Sequence, residues 1–471
     1  MKRTLSLLLG LLLVLSVNAK IKYVFYFIGD GMGTNQVLAA EMYRAELQGG
    51  VGRVPTCMSQ FPVSGQISTY SASNGITDSS AAGTCLATGH KTNNGVLGLG
   101  PKGDTLTTIA ETLKQQGWSI GIMTSVAIDH ATPGAFYGHD QKRGHYYEIG
   151  QQLTRSGFDF FGGAGFHYPQ GKHGDKEVNL YDLTEKAGYT ITRSYDEAQR
   201  HLNDQKLILI QPGDTGTANS DCIGYAIDQH TENSTLKQIV STAIPFLERK
   251  QKPFFMMVEG GMIDYACHGD DGRTAIDEVW AMDEALEVAY RFYLRHPDET
   301  LIVVTADHET GGMALGNSDY TLNLQILQYQ KCSSWVLSDR FTGLFQHGTP
   351  TWEQVQQVWR DNLGFWGPVS ISEDEEKELR EAYQKAVQHE GEDMKTMYKD
   401  INQLGSVGIE ILNRKSKLGW TSNAHTGHAV PVFAAGVGAE LFTGWHDNSQ
   451  VAPLILQAIQ QSAAKPRKCR H

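Results

Sequence analysis

Cysteine is scarce in this chain. Six cysteines among 471 residues are too few for a disulfide scaffold. None precedes Cys57, which argues against a lipid-anchored start. Long apolar runs are scarce too. The stretch from Leu5 to Val17 is short for a membrane span, and no later stretch is apolar enough to cross a bilayer. A positive surplus is also missing. The formal net charge of −12 excludes the basic footprint of a nucleic-acid binder. No internal repeat or low-complexity linker marks a repeat array or a flexible tether.

The chain does carry an export signal in outline. Lys2 and Arg3 precede the apolar run, and Val17-Asn18-Ala19 reads as a small-x-small cleavage site. Cleavage after Ala19 is expected to leave a soluble protein in the periplasm or outside the cell, and losing Lys2 and Arg3 takes the charge from −12 to −14. The tail from Lys465 to His471 is basic rather than hydrophobic, so no membrane anchor is expected. The remaining length suits one large α/β domain with an insertion, or two domains. Cys85 and Cys267 lie within apparent core motifs and are expected reduced and buried.

Four β-branched or aromatic runs end abruptly at polar residues. Residues Ile21–Ile28 stop at Gly29-Asp30-Gly31, and Trp118–Thr124 leads to Asp129-His130-Ala131-Thr132. Pro253–Val258 leads to Glu259, and Leu301–Thr305 to Asp307-His308. Helical patterns such as Thr107–Gln116 and Ala275–Arg295 lie between them. The alternation predicts an α/β fold: a mostly parallel central sheet with helices on both faces. In such sheets ligands bind beyond the carboxyl ends of the strands, which is where these polar residues fall. From Gly311 to about Trp420 the pattern turns helical, with capping-box spacings at Thr351/Gln354 and Ser372/Glu375. A strand pattern returns at Ala429–Gly436. The expected organisation is a signal peptide over 1–19, a catalytic domain over 20–312 and 421–471, and an inserted rim subdomain over 313–420.

The run Ile76-Thr77-Asp78-Ser79-Ser80 changes from turn-like to helix-forming small residues. This predicts Ser79 in the first turn of a helix, where free N–H groups favour anions. Taken alone, an N-cap at Asp78 or Ser79 explains it as well. A serine nucleophile needs a base or a metal, and metal ligands abound. Asp264 and His268 are four apart and share a helical face. Together with Asp30, Thr132, Glu259, Asp307, His308 and His425 they gather carboxylates whose mutual repulsion calls for cations.

These motifs, in this order, resemble the alkaline phosphatases, di-zinc and magnesium phosphomonoesterases. The likeness covers nearly the whole mature chain apart from the insertion. It rests on Asp30 after the first strand, Asp78-Ser79 with Ala87-Thr88-Gly89, and His130-Ala131-Thr132-Pro133. Arg143, the spacing of Glu259, Asp264 and His268, Thr305 to His308, and His425-Thr426-Gly427 complete it. The resemblance implies a first zinc on Asp264, His268 and His425, and a second on Asp30, Asp307 and His308. It implies magnesium on Asp30, Thr132 and Glu259. Ser79 would be the nucleophile forming a phosphoserine, Arg143 the phosphate grip, and Asp78 and His130 supporting residues. Three divalent cations and Arg143 against four carboxylates leave a surplus that a phosphate monoester dianion and a serine alkoxide neutralise.

Three features depart from the commonest pattern. Ser80 supplies a second hydroxyl, although register favours Ser79. His130 is aspartate in one bacterial branch, which opens the identity of the third metal. The insertion is longer than that branch uses and resembles in position the crown-like insertion of animal relatives. His139 and His428 match no family ligand and read as structural or as supports behind the ligands. A symmetric homodimer is implied by resemblance alone. The rival readings are a related phosphodiesterase and a metal-stabilised phosphate-binding protein without turnover. A sulfatase would need a proline and an arginine just after its nucleophile, and neither follows Ser79.

Overall fold

A computed structural model describes residues 20–173, 176–212, 221–228 and 232–464. The proposed leader over 1–19 and the basic tail from Lys465 lie outside the described residues.

Ten strands join one sheet: β1 (Tyr23–Gly29), β2 (Val63–Ser68), β3 (Ser119–Thr124), β4 (Phe160–Gly162), β5 (Thr190–Thr192), β6 (Leu207–Leu209), β7 (Phe254–Gly260), β8 (Thr300–Ala306), β9 (Val430–Gly436) and β10 (Gly444–Asp447). Their spatial order is β10-β2-β9-β8-β1-β7-β3-β4-β6-β5. Every neighbouring pair is parallel except the two made by β9. β3, β7 and β8 are buried along their whole length, as is β1 beyond Tyr23. That is why they read as unbroken apolar runs rather than alternating ones.

Helices flank this sheet. They include α1 (Thr34–Leu47), α2 (Ser79–Thr88), α3 (Ile109–Gln115), α4 (Leu236–Glu248), α5 (Met262–His268) and α6 (Gly272–Arg295). Two of these refine the sequence reading. α3 starts later than Thr107 because Thr108 and Glu111 form a capping box. α6 starts earlier than Ala275 because Asp271 accepts from the Thr274 amide at 3.2 Å and caps it.

Between residues 313 and 420 the chain forms α7 (Ser334–Gln346), α8 (Trp352–Leu363), α9 (Glu373–Gln388) and α10 (Gln403–Ser416). Both expected capping boxes are present, on α8 and α9. Trp359 of α8 is fully buried, packs on Phe341 and donates its indole N–H to the Leu404 carbonyl at 2.9 Å. Where this segment leaves and returns, two short antiparallel ladders close it. Ala314–Leu315 pairs with Leu418–Gly419, and Glu309–Thr310 pairs with His425–Thr426.

Register places the polar strand ends side by side. Gly29 pairs with Ala306, so Asp30 and Asp307 follow at one level on adjacent strands, and Ile28 pairs with Glu259, which places Glu259 two positions earlier on the third. Because β9 runs antiparallel, its beginning lies at the same edge, and His425 just before it arrives there as well.

The centre of the sheet carries the core. Phe25 is fully buried, its ring 5.5 Å from both Phe254 and Phe292. Phe25→Ala is expected to destabilise the protein by about 3–5 kcal/mol. A drop in the calorimetric unfolding midpoint of the metal-free protein checks it, and an unchanged midpoint refutes this account of the core.

Candidate active site

Four carboxylates converge with no exposure to solvent: Asp30, Glu259, Asp264 and Asp307. Among the described residues, neither oxygen of Asp30, nor Oδ2 of Asp307, nor Oε1 of Glu259 has a hydrogen-bond partner. The Thr132 hydroxyl and the Nδ1 of His130 are likewise buried and unpartnered. Burial, and then the neighbouring carboxylates, push the pKa of both Asp30 and Asp307 well up. Burial acts on Asp264 in the same direction, but His268 and His425 overcome it and hold that carboxyl well below the usual range.

The imidazoles add nitrogen donors to this cluster. His268 donates from Nδ1 to the Asn423 carbonyl at 2.7 Å, and His425 from Nδ1 to the Thr77 carbonyl at 2.9 Å. A carbonyl only accepts, so in the neutral rings both Nε2 atoms are bare. Those two lone pairs face each other at 3.2 Å, with Asp264 oxygens 3.3 Å from one and 3.7 Å from the other. Three electron-rich groups converging this way fit a shared cation, and each histidine is oriented through its second nitrogen as metal-binding histidines usually are. His308 stacks on His425 with ring centroids 3.6 Å apart. Its Nε2 lies 3.3 Å from Asp30 Oδ1 and 3.3 Å from Asp307 Oδ2. Burial, first of all, pulls the His308 and His130 pKa values well down, which favours the neutral form that ligates metals.

The buried donors group into three sets of metal-binding dimensions: Asp30 with Asp307 and His308, Asp264 with His308 and His425, and Asp30 with His130 and Glu259. Gly31 shows how tightly the first two are built. Its φ of +71° suits glycine, and a Cβ there would meet Asp264 Oδ1 and the Thr310 hydroxyl at 2.9 Å.

Ser79 opens α2, whose N-cap Asp78 accepts from the Ala81 amide at 3.0 Å. The two adjacent hydroxyls separate in role. Ser80 donates to Asp78 Oδ2 at 2.7 Å, whereas Ser79 Oγ lies 3.2 Å from His308 Nε2, facing the carboxylate cluster. Arg143 reaches the same point, with one guanidinium nitrogen 3.2 Å from Asp78 Oδ2 and the other 3.3 Å from His130 Nε2. A helix N-terminus, a hydroxyl, a guanidinium and a cluster of buried carboxylates of metal-binding dimensions thus surround one small volume suited to a phosphoryl group.

The residues read as ligands, nucleophile and phosphate grip fall in or beside this cluster. His130 sits closer than a supporting role requires, since it completes a donor set with Asp30 and Glu259. His139 bonds Gly98 and Glu111, and His428 lies 3.5 Å from Glu309 at the surface. Cys85 and Cys267 are free and buried. Three contributors were not visible in the sequence. The Thr124 hydroxyl donates to Glu259 and the Thr310 hydroxyl to Asp264. Tyr398, from the segment between α9 and α10, donates to Asp264 Oδ2 at 3.0 Å. Thr124 ends a strand beside Glu259 and could have been found from that pairing. Tyr398 carries no local signal.

The family model for alkaline phosphatase matches residues 21–461. Alkaline phosphatase 4 of Bacillus subtilis (strain 168) is 30% identical, covering 94% of this chain and 89% of that protein. The crystal structure of a cold-active alkaline phosphatase from the psychrophile Shewanella sp. superposes with a TM-score of 0.77 at 28% identity, covering 93% of this chain and 99% of that one. A variant of the alkaline phosphatase from the Antarctic bacterium TAB5, solved with Mg bound, shares the fold with a TM-score of 0.65 at 22% identity, over 94% of this chain and 99% of that one.

The buried carboxylates should cost stability without cations and confer it with them. Asp307→Asn is therefore expected to stabilise chelated protein by about 1 kcal/mol while lowering the midpoint of zinc-loaded protein. Calorimetry of both forms checks the opposite signs; a change of the same sign in both would remove the electrostatic argument.

Proposed function

The chain belongs to the alkaline phosphatase family of phosphate-monoester hydrolases, and from that premise we propose that it works with two zinc ions and one magnesium ion through a phosphoserine on Ser79. The observation that carries this reading is the pair of bare imidazole nitrogens beside Asp264, set next to a serine hydroxyl that faces Asp30, Asp307 and His308. Asp264, His268 and His425 would hold one zinc, and Asp30, Asp307 and His308 the other. Asp30, Thr132 and Glu259 would hold magnesium, an oxygen set that suits a hard cation. The Mg-bound TAB5 variant supports a magnesium role in this fold. His130 beside that set adds a nitrogen, which gives zinc a route to compete there.

Bound in these places, the cations would supply Lewis acidity at the phosphate oxygens and at the attacking and departing oxygens. The chain's own residues do the rest. Arg143 clamps two non-bridging oxygens with its planar fork, and Asp78 keeps that fork aimed. The N-terminal N–H groups of α2 favour the dianion. Ser79 gives up its hydroxyl proton to solvent, Oγ forms a bond to phosphorus as the bond to the ester oxygen breaks on the opposite face, and the departing alkoxide takes a proton from solvent. Water then cleaves the phosphoserine, returning the Ser79 hydroxyl and releasing inorganic phosphate.

The same reading extends to the whole protein. The leader over 1–19 would be removed on export to the periplasm or beyond, and no described helix is long and apolar enough to cross a membrane. The 313–420 segment would act as an inserted subdomain, crown-like in position, and a homodimer is the expected assembly.

Turnover of p-nitrophenyl phosphate should vanish with chelation and return only with zinc and magnesium together. Bis-p-nitrophenyl phosphate should be the poorer substrate. Ser79→Ala is expected to lower kcat/KM by at least about 1,000-fold, and acid quenching of the unaltered enzyme should leave phosphate on the peptide containing Ser79. Full activity in either the chelated protein or the alanine variant would sink the mechanism, and preference for the diester would move the protein to the phosphodiesterases.

A further inference from the structure

A cleft of about 560 Å³ opens directly above Arg143, with Asp78 and His130 in its floor. Its walls are aromatic to an extent that gripping phosphate does not require. On one side, Tyr146 lies 4.3 Å from the His167 ring, which in turn lies 4.2 Å from Tyr168. On the other, Tyr265 stacks on Tyr398 with centroids 3.5 Å apart and meets Trp335 at 5.9 Å. His130 joins the two walls, 6.4 Å from Tyr146 and 6.0 Å from Tyr265.

The walls are held in place. The Tyr398 hydroxyl is tied to Asp264, and His167 Nδ1 lies 2.5 Å from Asp221 Oδ1. Trp335 packs edge-on to Tyr225. Tyr168 is 42% exposed and stands at the mouth.

We propose that this cleft is a subsite for a planar aromatic ring on the alcohol side of the phosphate ester, so that the enzyme favours aryl-bearing or nucleobase-bearing monoesters over aliphatic ones. The proposal rests on the phosphomonoesterase reading above. Ser79 and the carboxylates are fully buried, so the ester's alcohol portion has to point outward past Arg143, into this cleft. In-line attack by Ser79 also sends the alcohol away from Ser79. The Asp264–His268–His425 group is flanked on the cleft side by Tyr265 and Tyr398, with the Tyr398 ring 5.4 Å from His268. Rigid aromatic faces beside a phosphate grip favour stacking of a flat π-system, and they tolerate different rings because every base or aryl group presents a similar face. The cleft volume lies within the range of small-molecule sites.

The test compares substrates that share a leaving-group type and differ in the ring. One pair is adenosine 5′-monophosphate and ribose 5-phosphate; the other is benzyl phosphate and ethyl phosphate. The zinc- and magnesium-replete enzyme should show a kcat/KM ratio of at least about tenfold for the ringed member of one pair. A preference in the first pair identifies a nucleobase set back from the phosphate, and in the second an aryl group next to it. Trp335→Leu and, separately, the surface variant Tyr168→Ala should each pull that ratio towards one. Inhibition by inorganic phosphate should stay within about twofold, since it occupies only the floor. Ratios near one for both pairs, with all four esters hydrolysed, overturn the subsite while leaving the phosphatase reading standing. So does a ratio that survives in both variants. Hydrolysis of none of the four overturns the parent reading and this one with it.

Discussion

Charge buried without water is the constraint on which the rest of this molecule depends. Four carboxylates and the bare nitrogens of His268 and His425 are enclosed together, and several of their oxygens accept nothing from the described residues. Leaving an ionised carboxylate unpaired in such surroundings costs several kcal/mol. Among the described residues, Arg143 and the Ser79 helix end offer compensating charge, with His268 and His425 doing so for Asp264. The fold therefore holds its ligands apart by main-chain geometry, through buried strands, the Gly31 turn and the short ladders. It leaves cations to supply the attraction.

The parallel sheet makes that arrangement simple to build. Adjacent parallel strands in register bring their carboxyl ends to one line, so Asp30 just after β1, Asp307 just after β8 and Glu259 near the end of β7 become neighbours without any long loop. The one antiparallel strand adds what parallel strands cannot. Its beginning, rather than its end, lies at that edge, and His425 enters from the opposite chain direction to face His268 and His308. Thr124, Thr310 and Tyr398 then fix the carboxylate oxygens that lie between the histidines and the strands.

Much of this was legible in the residue order. The strand ends announced themselves because a run buried on both faces must be continuously apolar and must stop where polarity begins, as at Asp30, Glu259 and Asp307. Asp264 and His268 were legible because helical spacing puts i and i+4 on one face. Ser79 and Ser80 could not be separated by spacing alone. Their difference lies in which hydroxyl the N-cap Asp78 captures, a matter of cap geometry. The role of Tyr398 was illegible for another reason. It reaches Asp264 across 134 residues from an irregular segment, and neither periodicity nor composition encodes such a contact. The aromatic walls of the cleft were equally hidden, since Tyr146, Tyr168, Tyr265 and Trp335 come from four separate places in the chain.

The paired ladders at the base of the helical excursion have a consequence for how such a chain can change over time. Glu309–Thr310 against His425–Thr426, and Ala314–Leu315 against Leu418–Gly419, clasp the two ends of the excursion together beside the histidines. Because closing a longer loop adds little entropic cost, the excursion can lengthen or shorten beyond the clasp while His308 and His425 keep their stacking, provided a donor still reaches Asp264 from where Tyr398 stands. Tyr398 and Trp335 both lie on the excursion, one tied to Asp264 and the other packed on Tyr225 and Tyr265. Change at Trp335 thus reshapes a wall alone, whereas change at Tyr398 is felt by the carboxylate beneath it.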